Sequence, residues 1–171
     1  MSHSIYLKVD GVEGEENRSN YEGWIKADYI DFPFQRHIAG FSGANKGNVG
    51  DVEISKLSVF APIDKAMPAI WMNFFKNKII NTVTVAWCVS GQEEQNTMTI
   101  ELLDARIIGV KFMNNATNSG IDMSPSASQP MSMLYQFIAP KIKVAYTPIS
   151  LDNNRNAPVT AAWNVDTQQE F

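Results

Sequence analysis

The hydrophobic and polar residues of this chain alternate with a period of two over most of its length. The clearest example runs from residue 83 to 89, where Val83, Val85, Trp87 and Val89 occupy alternate positions. Successive side chains of a strand point to opposite faces of a sheet, so this pattern predicts strands with one buried face. The same alternation predicts further strands near residues 5–9, 29–34, 52–54, 57–59, 98–102, 107–112, 135–137, 142–146 and 161–165.

The segments between these strands carry turn and loop residues. The apolar parity switches between residues 52–54 and 57–59, which predicts a β-bulge. Residues 91–96 predict a hairpin turn that joins two strands. The stretches 40–50 and 114–129 are rich in Gly, Asn and Ser and predict loops.

One segment has the apolar spacing of a helix instead. Asp64 is predicted to be its N-cap, and Pro68 falls in the first turn, where proline is tolerated. The apolar residues of this segment form one stripe along the helix, which is expected to pack into the core. Its residues follow one another at i, i+3, i+4, i+7 and i+8, namely Met67, Ile70, Trp71, Phe74 and Phe75.

Many short strands and one helix predict an all-β fold with one α-helix, built as a two-sheet β-barrel or sandwich. The 171 residues fit a single domain, residues 1–171, because no internal repeat or linker divides them. Hydrophobic residues make up 44% of the chain and charged residues 19%, which suits a globular protein with a lightly charged surface.

Charge and composition exclude several classes of function. The 14 basic and 18 acidic residues give a net charge of −4, so no nucleic-acid partner is expected. No apolar run is long enough for membrane insertion, and the first residues lack the pattern of a secretory signal. We therefore expect synthesis in the cytoplasm and, if the protein is exported, a route that reads no N-terminal signal. One cysteine and two histidines predict no disulfide, metal or cofactor site.

Candidate catalytic residues are few. Ser42 lies in Gly40-Phe41-Ser42-Gly43-Ala44, which approximates the nucleophile elbow of a serine hydrolase, with His37 as the nearest base. That elbow requires a strand–turn–helix context, which a β-rich chain does not offer. Cys88 follows Trp87 in a strand and is expected to be a packed side chain, and the adjacent glutamates in turns are expected to be solvated. The sequence predicts no enzymatic activity.

Six stretches, in order along the chain, resemble the Hcp family, the tube proteins of bacterial type VI secretion systems. The most informative is Ile63-Asp64-Lys65-Ala66-Met67-Pro68, which is similar to the motif that opens the family's single helix. Met67 stands where that motif usually has Ser. The other stretches are residues 5–15, 24–34, the loop that leads to residue 52, the strand Ile142-Lys-Val-Ala-Tyr-Thr-Pro148 and the closing Ala162-Trp163-Asn164, where the family usually has Gly-Trp-Asp.

The resemblance implies a structural role in a secretion machine. Hcp proteins form homohexameric rings that stack into the inner tube of a contractile injector, with a spike protein at the tip and a contractile sheath around it. The tube is fired into neighbouring bacteria or host cells, and its lumen can hold small effector proteins. The chain would then be secreted with the tube or as a carrier of effectors. A phage-like tail tube protein is a close alternative, and a monomeric β-sandwich binding module or a small hydrolase using Ser42 are alternatives of other classes.

The resemblance also implies roles for particular residues. The loop after residue 40 is expected to contact a neighbouring subunit or ring, with Phe41, Asn45, Lys46 and Asn48 as candidate contacts. In the strand near residue 30, the alternation predicts that Ile30, Phe32 and Phe34 lie inside the barrel. Tyr29 and Asp31 then lie on the opposite face, which in Hcp-like rings lines the channel.

Overall fold

The computed structural model describes residues 3–39, 48–90, 94–113, 131–149 and 156–171. This part of the chain is mostly strand, with one α-helix. In chain order, its elements are β1 (His3–Val9), β2 (Ile25–Ala27), β3 (Tyr29–Asp31), β4 (Phe34–Ala39), β5 (Asn48–Ile54), β6 (Leu57–Pro62), α1 (Met67–Phe75), β7 (Ile80–Ser90), β8 (Glu94–Met113), β9 (Ser132–Ile138), β10 (Lys141–Tyr146), β11 (Val159–Asn164) and β12 (Gln169–Glu170).

Two antiparallel sheets share the long strand β8. Sheet A has the order β12-β11-β10-β8-β7-β1-β2, and sheet B has the order β3-β6-β9-β8. Residues up to Leu103 of β8 pair with β10 in sheet A, whereas residues from Arg106 onward pair with β9 in sheet B. The predicted all-β, two-sheet fold with one helix is confirmed.

The change of sheet within β8 takes place at Asp104. Its backbone has a φ of 56°, in the left-handed region that Asp and Asn tolerate better than most residues. Lys141 Nζ lies 3.4 Å from Asp104 Oδ2 and ties the corner to the start of β10. A single strand can therefore contribute to both layers of the fold.

The hydrophobic core lies between the two sheets and is closed on one side by the helix. Ile70 of α1 is fully buried in it, and Met67, Trp71 and Phe74 pack against it partly buried. The expectation that the whole helical stripe is core is wrong for Phe75, which is 66% exposed at the last helical position. The strands contribute Ile5, Leu7, Val9, Ile25, Leu57, Val59, Val83, Val85, Leu102, Ile107, Met133, Tyr135, Phe137 and Ile142.

Two predicted boundaries are wrong in detail. The helix begins at Met67 with Ala66 as N-cap, so Asp64 is not the cap; its Oδ1 accepts the Ala66 N–H at 3.0 Å and orders the turn before the helix. The parity switch after residue 54 is not a bulge. It separates β5 from β6, which belong to different sheets and need not share a phase.

Strands β4 and β5 form a two-stranded ribbon (residues 34–39 and 48–54) that pairs with neither sheet among the described strands. The ribbon explains why the prediction for Phe34 is wrong. Ile30 and Phe32 pack against the core, but Phe34 is 53% exposed because the chain has already left sheet B and entered the ribbon. Its ring contacts Phe32, with centroids 4.6 Å apart.

The predicted hairpin between β7 and β8 is confirmed by the pairing of Ser90 with Glu94. The predicted turn 91–96 is wrong for residues 94–96, which belong to β8. The predicted loop 40–50 is wrong for residues 48–50, which belong to β5, and its other residues and the predicted loop 114–129 lie outside the described residues.

Candidate assembly surfaces

The face of sheet B that points away from the core carries the two residues predicted to line a channel. Tyr29 is 57% exposed and Asp31 is also exposed, whereas Ile30 between them packs against the core. Period-two geometry predicted this parity. The structure brings Tyr29 and Asp31 together on one surface; that this surface lines a channel stays a prediction.

The antiparallel register aligns these two residues with side chains from the other strands of sheet B. The rings of Tyr29 and Phe60 have centroids 5.6 Å apart, and Gln136 Nε2 donates to Ser58 Oγ at 3.5 Å. The surface thus combines a mostly apolar row with a polar one. The first row is Tyr29, Phe60, Leu134 and Lys111, and the second is Asp31, Ser58, Gln136 and Gly109.

Gly109 leaves room for the side chain of Gln136 in this polar row. A Cβ at that position would lie 2.5 Å from Gln136 Oε1, so any larger residue would displace the glutamine side chain. The register of β8 against β9 shifts between Ile107 and Gly109, which places the glycine at an irregularity of the ladder. Phe60, Ser58 and Gln136 were not predicted to belong to this surface. Their positions alternate along the chain with the buried Val59 and Tyr135, and this alternation is a signal that the sequence contains.

Both edge strands of sheet B are unpaired on their outer side among the described strands. The short strand β3 pairs only with β6, and residues 106–113 of β8 pair only with β9. Ile108 is 44% exposed in this part of β8. An unpaired strand edge presents N–H and C=O groups that another chain can pair with.

The ribbon β4–β5 leads into the loop predicted to contact another subunit. Three of the candidate contacts, Phe41, Asn45 and Lys46, lie outside the described residues, and Asn48 is the first residue of β5. One face of the ribbon covers an open groove of about 450 Å³ above β10 and β11. The groove is lined mainly by apolar residues, among them Phe34, Val52, Ile54, Val144, Ala161 and Trp163.

The turn that precedes the helix contains a half-buried carboxyl group, Asp64. Burial raises its pKa above the ordinary value of 3.8, and the hydrogen bond from the Ala66 N–H opposes that rise. The neighbouring segment of the chain is attached to the same turn, since Glu15 Oε1 accepts the Lys65 N–H at 3.2 Å and Lys65 Nζ lies 3.0 Å from Glu13 Oε1. These groups connect the β1–β2 connection to the start of α1 and have a structural role.

The residues considered for chemistry are not brought together as an active site in the part of the chain that the structure describes. Ser42 lies outside it, and His37 lies in β4. Cys88 is fully buried, with Sγ 2.9 Å from the hydroxyl of Tyr21, whose ring stacks on Tyr6 at 4.2 Å. Glu16 Oε1 accepts the backbone N–H groups of the two residues that follow it.

Within the described ranges, no group of three or more His, Cys, Asp or Glu side chains is arranged to bind a metal ion. The helix seen there is too short to cross a membrane.

Comparison with known proteins agrees with this geometry. Residues 6–150 match the family described as "Type VI secretion system effector, Hcp". A search of curated protein sequences finds no match.

Solved structures of related proteins have the same fold. One, described as a type six secretion system protein, superposes with a TM-score of 0.85 at 16% identity, covering 99% of this chain and 100% of its own. Hcp1 from Salmonella typhimurium gives 0.75 at 15% identity with complete coverage of both chains. A type VI secretion system effector from Yersinia pestis gives 0.66 at 19% identity, covering 94% of this chain and 99% of its own. Since the family match extends over most of the sequence, the chain belongs to the Hcp family of type VI secretion system proteins.

Proposed function

We propose that this chain is the subunit of the inner tube of a type VI injector. Six copies close into a ring, and rings stack into a tube that is capped by a spike protein and surrounded by a contractile sheath. The observation that carries the proposal is sheet B of this Hcp family member: both of its edges are unpaired among the described strands, and its outward face exposes Tyr29 and Asp31. The protein acts as a structural component and has no turnover of its own.

The two edges of sheet B support ring closure. They differ in sequence and length, so the edge of β3 in one copy is suited to meet the β8 edge of the next copy. Such head-to-tail contacts are heterologous and close into a ring when the rotation between copies permits. The exposed Ile108 supports burial of the β8 edge in such a contact.

In this arrangement, the outward face of sheet B lines the channel. Tyr29 and Asp31 then face the lumen beside Phe60 and Gln136, where they contact small effector proteins. The mostly apolar row offers apolar area and the hydroxyl group of Tyr29, while Asp31 selects against effector proteins with acidic surfaces. The protein is made in the cytoplasm and leaves the cell with the tube.

The loop after residue 40 contacts an adjacent ring. Phe41 is the apolar anchor, and Asn45, Lys46 and Asn48 supply polar contacts. The ribbon that carries this loop supports the assignment, because an isolated two-stranded hairpin is only marginally stable in water and gains stability from a partner.

The experiment measures the mass of the purified protein by size-exclusion chromatography with light scattering and its shape by negative-stain electron microscopy. We expect a mass close to six times the 19.1 kDa of one chain, with annular particles. Ile108→Lys introduces a charge at the β8 edge and is expected to yield folded monomers. Phe75→Lys alters an exposed apolar residue on the helix and is the control that keeps the ring. A wild-type protein that remains monomeric at micromolar concentration contradicts the proposal and favours a binding module.

A further inference from the structure

The ribbon β4–β5 is connected to the rest of the fold by few interactions in the described residues. Its two strands pair with each other but with no described strand of sheet A or sheet B. At its base, Ser55 N–H donates to Pro33 O at 3.2 Å, and Ile54 packs partly buried against the core. Beyond this base, the open groove separates the inner face of the ribbon from β10 and β11. Packing alone therefore leaves the direction of the ribbon weakly determined.

One side chain bridges this gap. The amide of Gln168 bonds to the backbone of Val52 in both directions: Oε1 accepts the Val52 N–H at 3.0 Å, and Nε2 donates to Val52 O at 3.3 Å. A residue on a neighbouring antiparallel strand makes the same reciprocal pair of hydrogen bonds. Gln168 thus takes the place of a strand beside β5.

The turn that carries Gln168 is itself well ordered. Its second Nε2 hydrogen is donated to Val165 O at 2.8 Å, so the amide uses both of its donor hydrogens. Asn164 Oδ1 accepts the N–H groups of Asp166 and Thr167 at 3.0 and 3.3 Å. Gln168 lies in the β11–β12 turn and has a φ of 54°, in the left-handed region of backbone conformation. The bridge therefore starts from a fixed point on sheet A.

We infer that Gln168 is a positioning residue that holds the ribbon β4–β5 in the direction needed for contact with a neighbouring copy of this chain. The inference rests on the proposed function, because it gives the ribbon its role in assembly. Val52 is two residues from the end of β5, so a restraint there fixes the base of the ribbon and leaves its far end free to bind. The partner is a second copy of this chain, and the contact is formed by the ribbon.

The decisive variant is Gln168→Asn. Asn tolerates the left-handed backbone at least as well as Gln, but its side chain is one methylene shorter and does not reach Val52. The matched control is Gln169→Asn, which shortens the neighbouring exposed glutamine in β12. Hydrogen exchange measured by mass spectrometry on the whole protein reports the protection of residues 48–54. We expect exchange at Val52 to be about tenfold faster in Gln168→Asn, the effect of losing one hydrogen bond. Exchange in β7 and β8 should be unchanged.

The second measurement follows assembly in the same samples. If the inference is right, Gln168→Asn still forms rings by light scattering, but its rings associate into stacks at several-fold higher protein concentration than the wild type. Gln169→Asn should match the wild type in both measurements. Unchanged exchange at Val52 overturns the restraint, and faster exchange with normal stacking overturns its role in assembly. If the wild type forms neither rings nor stacks, the proposed function is wrong, and so is the role of Gln168 in assembly. The exchange result still decides whether Gln168 restrains Val52.

Discussion

The carboxyl group of Asp64 illustrates how one residue can influence stability without belonging to an active site. It lies half-buried between the helix start and the segment around Glu15, and burial is the main cause of its raised pKa. A raised folded-state pKa means that the folded protein binds more protons than the unfolded chain just above pH 3.8. The contribution of Asp64 to stability is therefore fullest below that pH and is lost as the pH rises through the folded-state pKa.

Asp64→Asn should remove this contribution to the pH dependence of stability. Asn keeps an oxygen to accept the Ala66 N–H but has no charge to bury. In urea unfolding at a series of pH values, the variant should gain stability relative to wild type as the pH rises above 3.8. Asp28→Asn, at an exposed site between β2 and β3, is the control. A variant that loses stability relative to wild type over the same range would show that the hydrogen bonds to the carboxylate outweigh its desolvation.

At the scale of elements, the corner in β8 determines how the two sheets meet. Asp104 combines a left-handed backbone with an ion pair to Lys141, and the two effects can be separated by substitution. The ion pair is partly exposed and contributes at most about 1 kcal/mol. The backbone conformation is the larger constraint, because β-branched residues are strained there.

Asp104→Gly and Asp104→Val both remove the carboxylate, so comparing them isolates the backbone effect. We expect Asp104→Val to be about 1–2 kcal/mol less stable than Asp104→Gly in chemical denaturation. Equal stabilities would mean that the corner adjusts its backbone to the new residue, and that β8 does not depend on a left-handed residue to change sheets.

At the scale of the whole molecule, sheet B has to satisfy two requirements at once. One face closes the core, and the other face, under the proposed function, contacts partners. Adjacent side chains of β3 lie on these two faces in turn: Ile30 packs against the core, and Asp31 is exposed.

Asp31→Arg and Ile30→Arg place the same side chain on the two faces of β3. We expect Asp31→Arg to lie within about 0.5 kcal/mol of wild type, since exposed substitutions rarely exceed that. Ile30→Arg should lose at least about 2 kcal/mol, because it moves a charge into apolar surroundings. Both are measured by urea unfolding. If the proposed lumen is right, Asp31→Arg rings should still form but carry less co-purified effector. An unfolded Asp31→Arg variant would show that this face is buried.

The sequence alone predicts the β-rich class, most strand positions and the helix, because burial against one core imposes period two on strands and a 3.6-residue period on helices. It also determined the parity of Tyr29 and Asp31, which depends only on neighbours along β3. Features that depend on contacts between residues distant in sequence are visible only in the folded chain. Phe34 is exposed because β4 leaves sheet B, β8 serves two sheets because Asp104 turns it, and Gln168 reaches Val52 across 116 residues of chain. No local pattern marks such contacts, since the hydrogen bonds of a side-chain amide depend on where the fold places its partner.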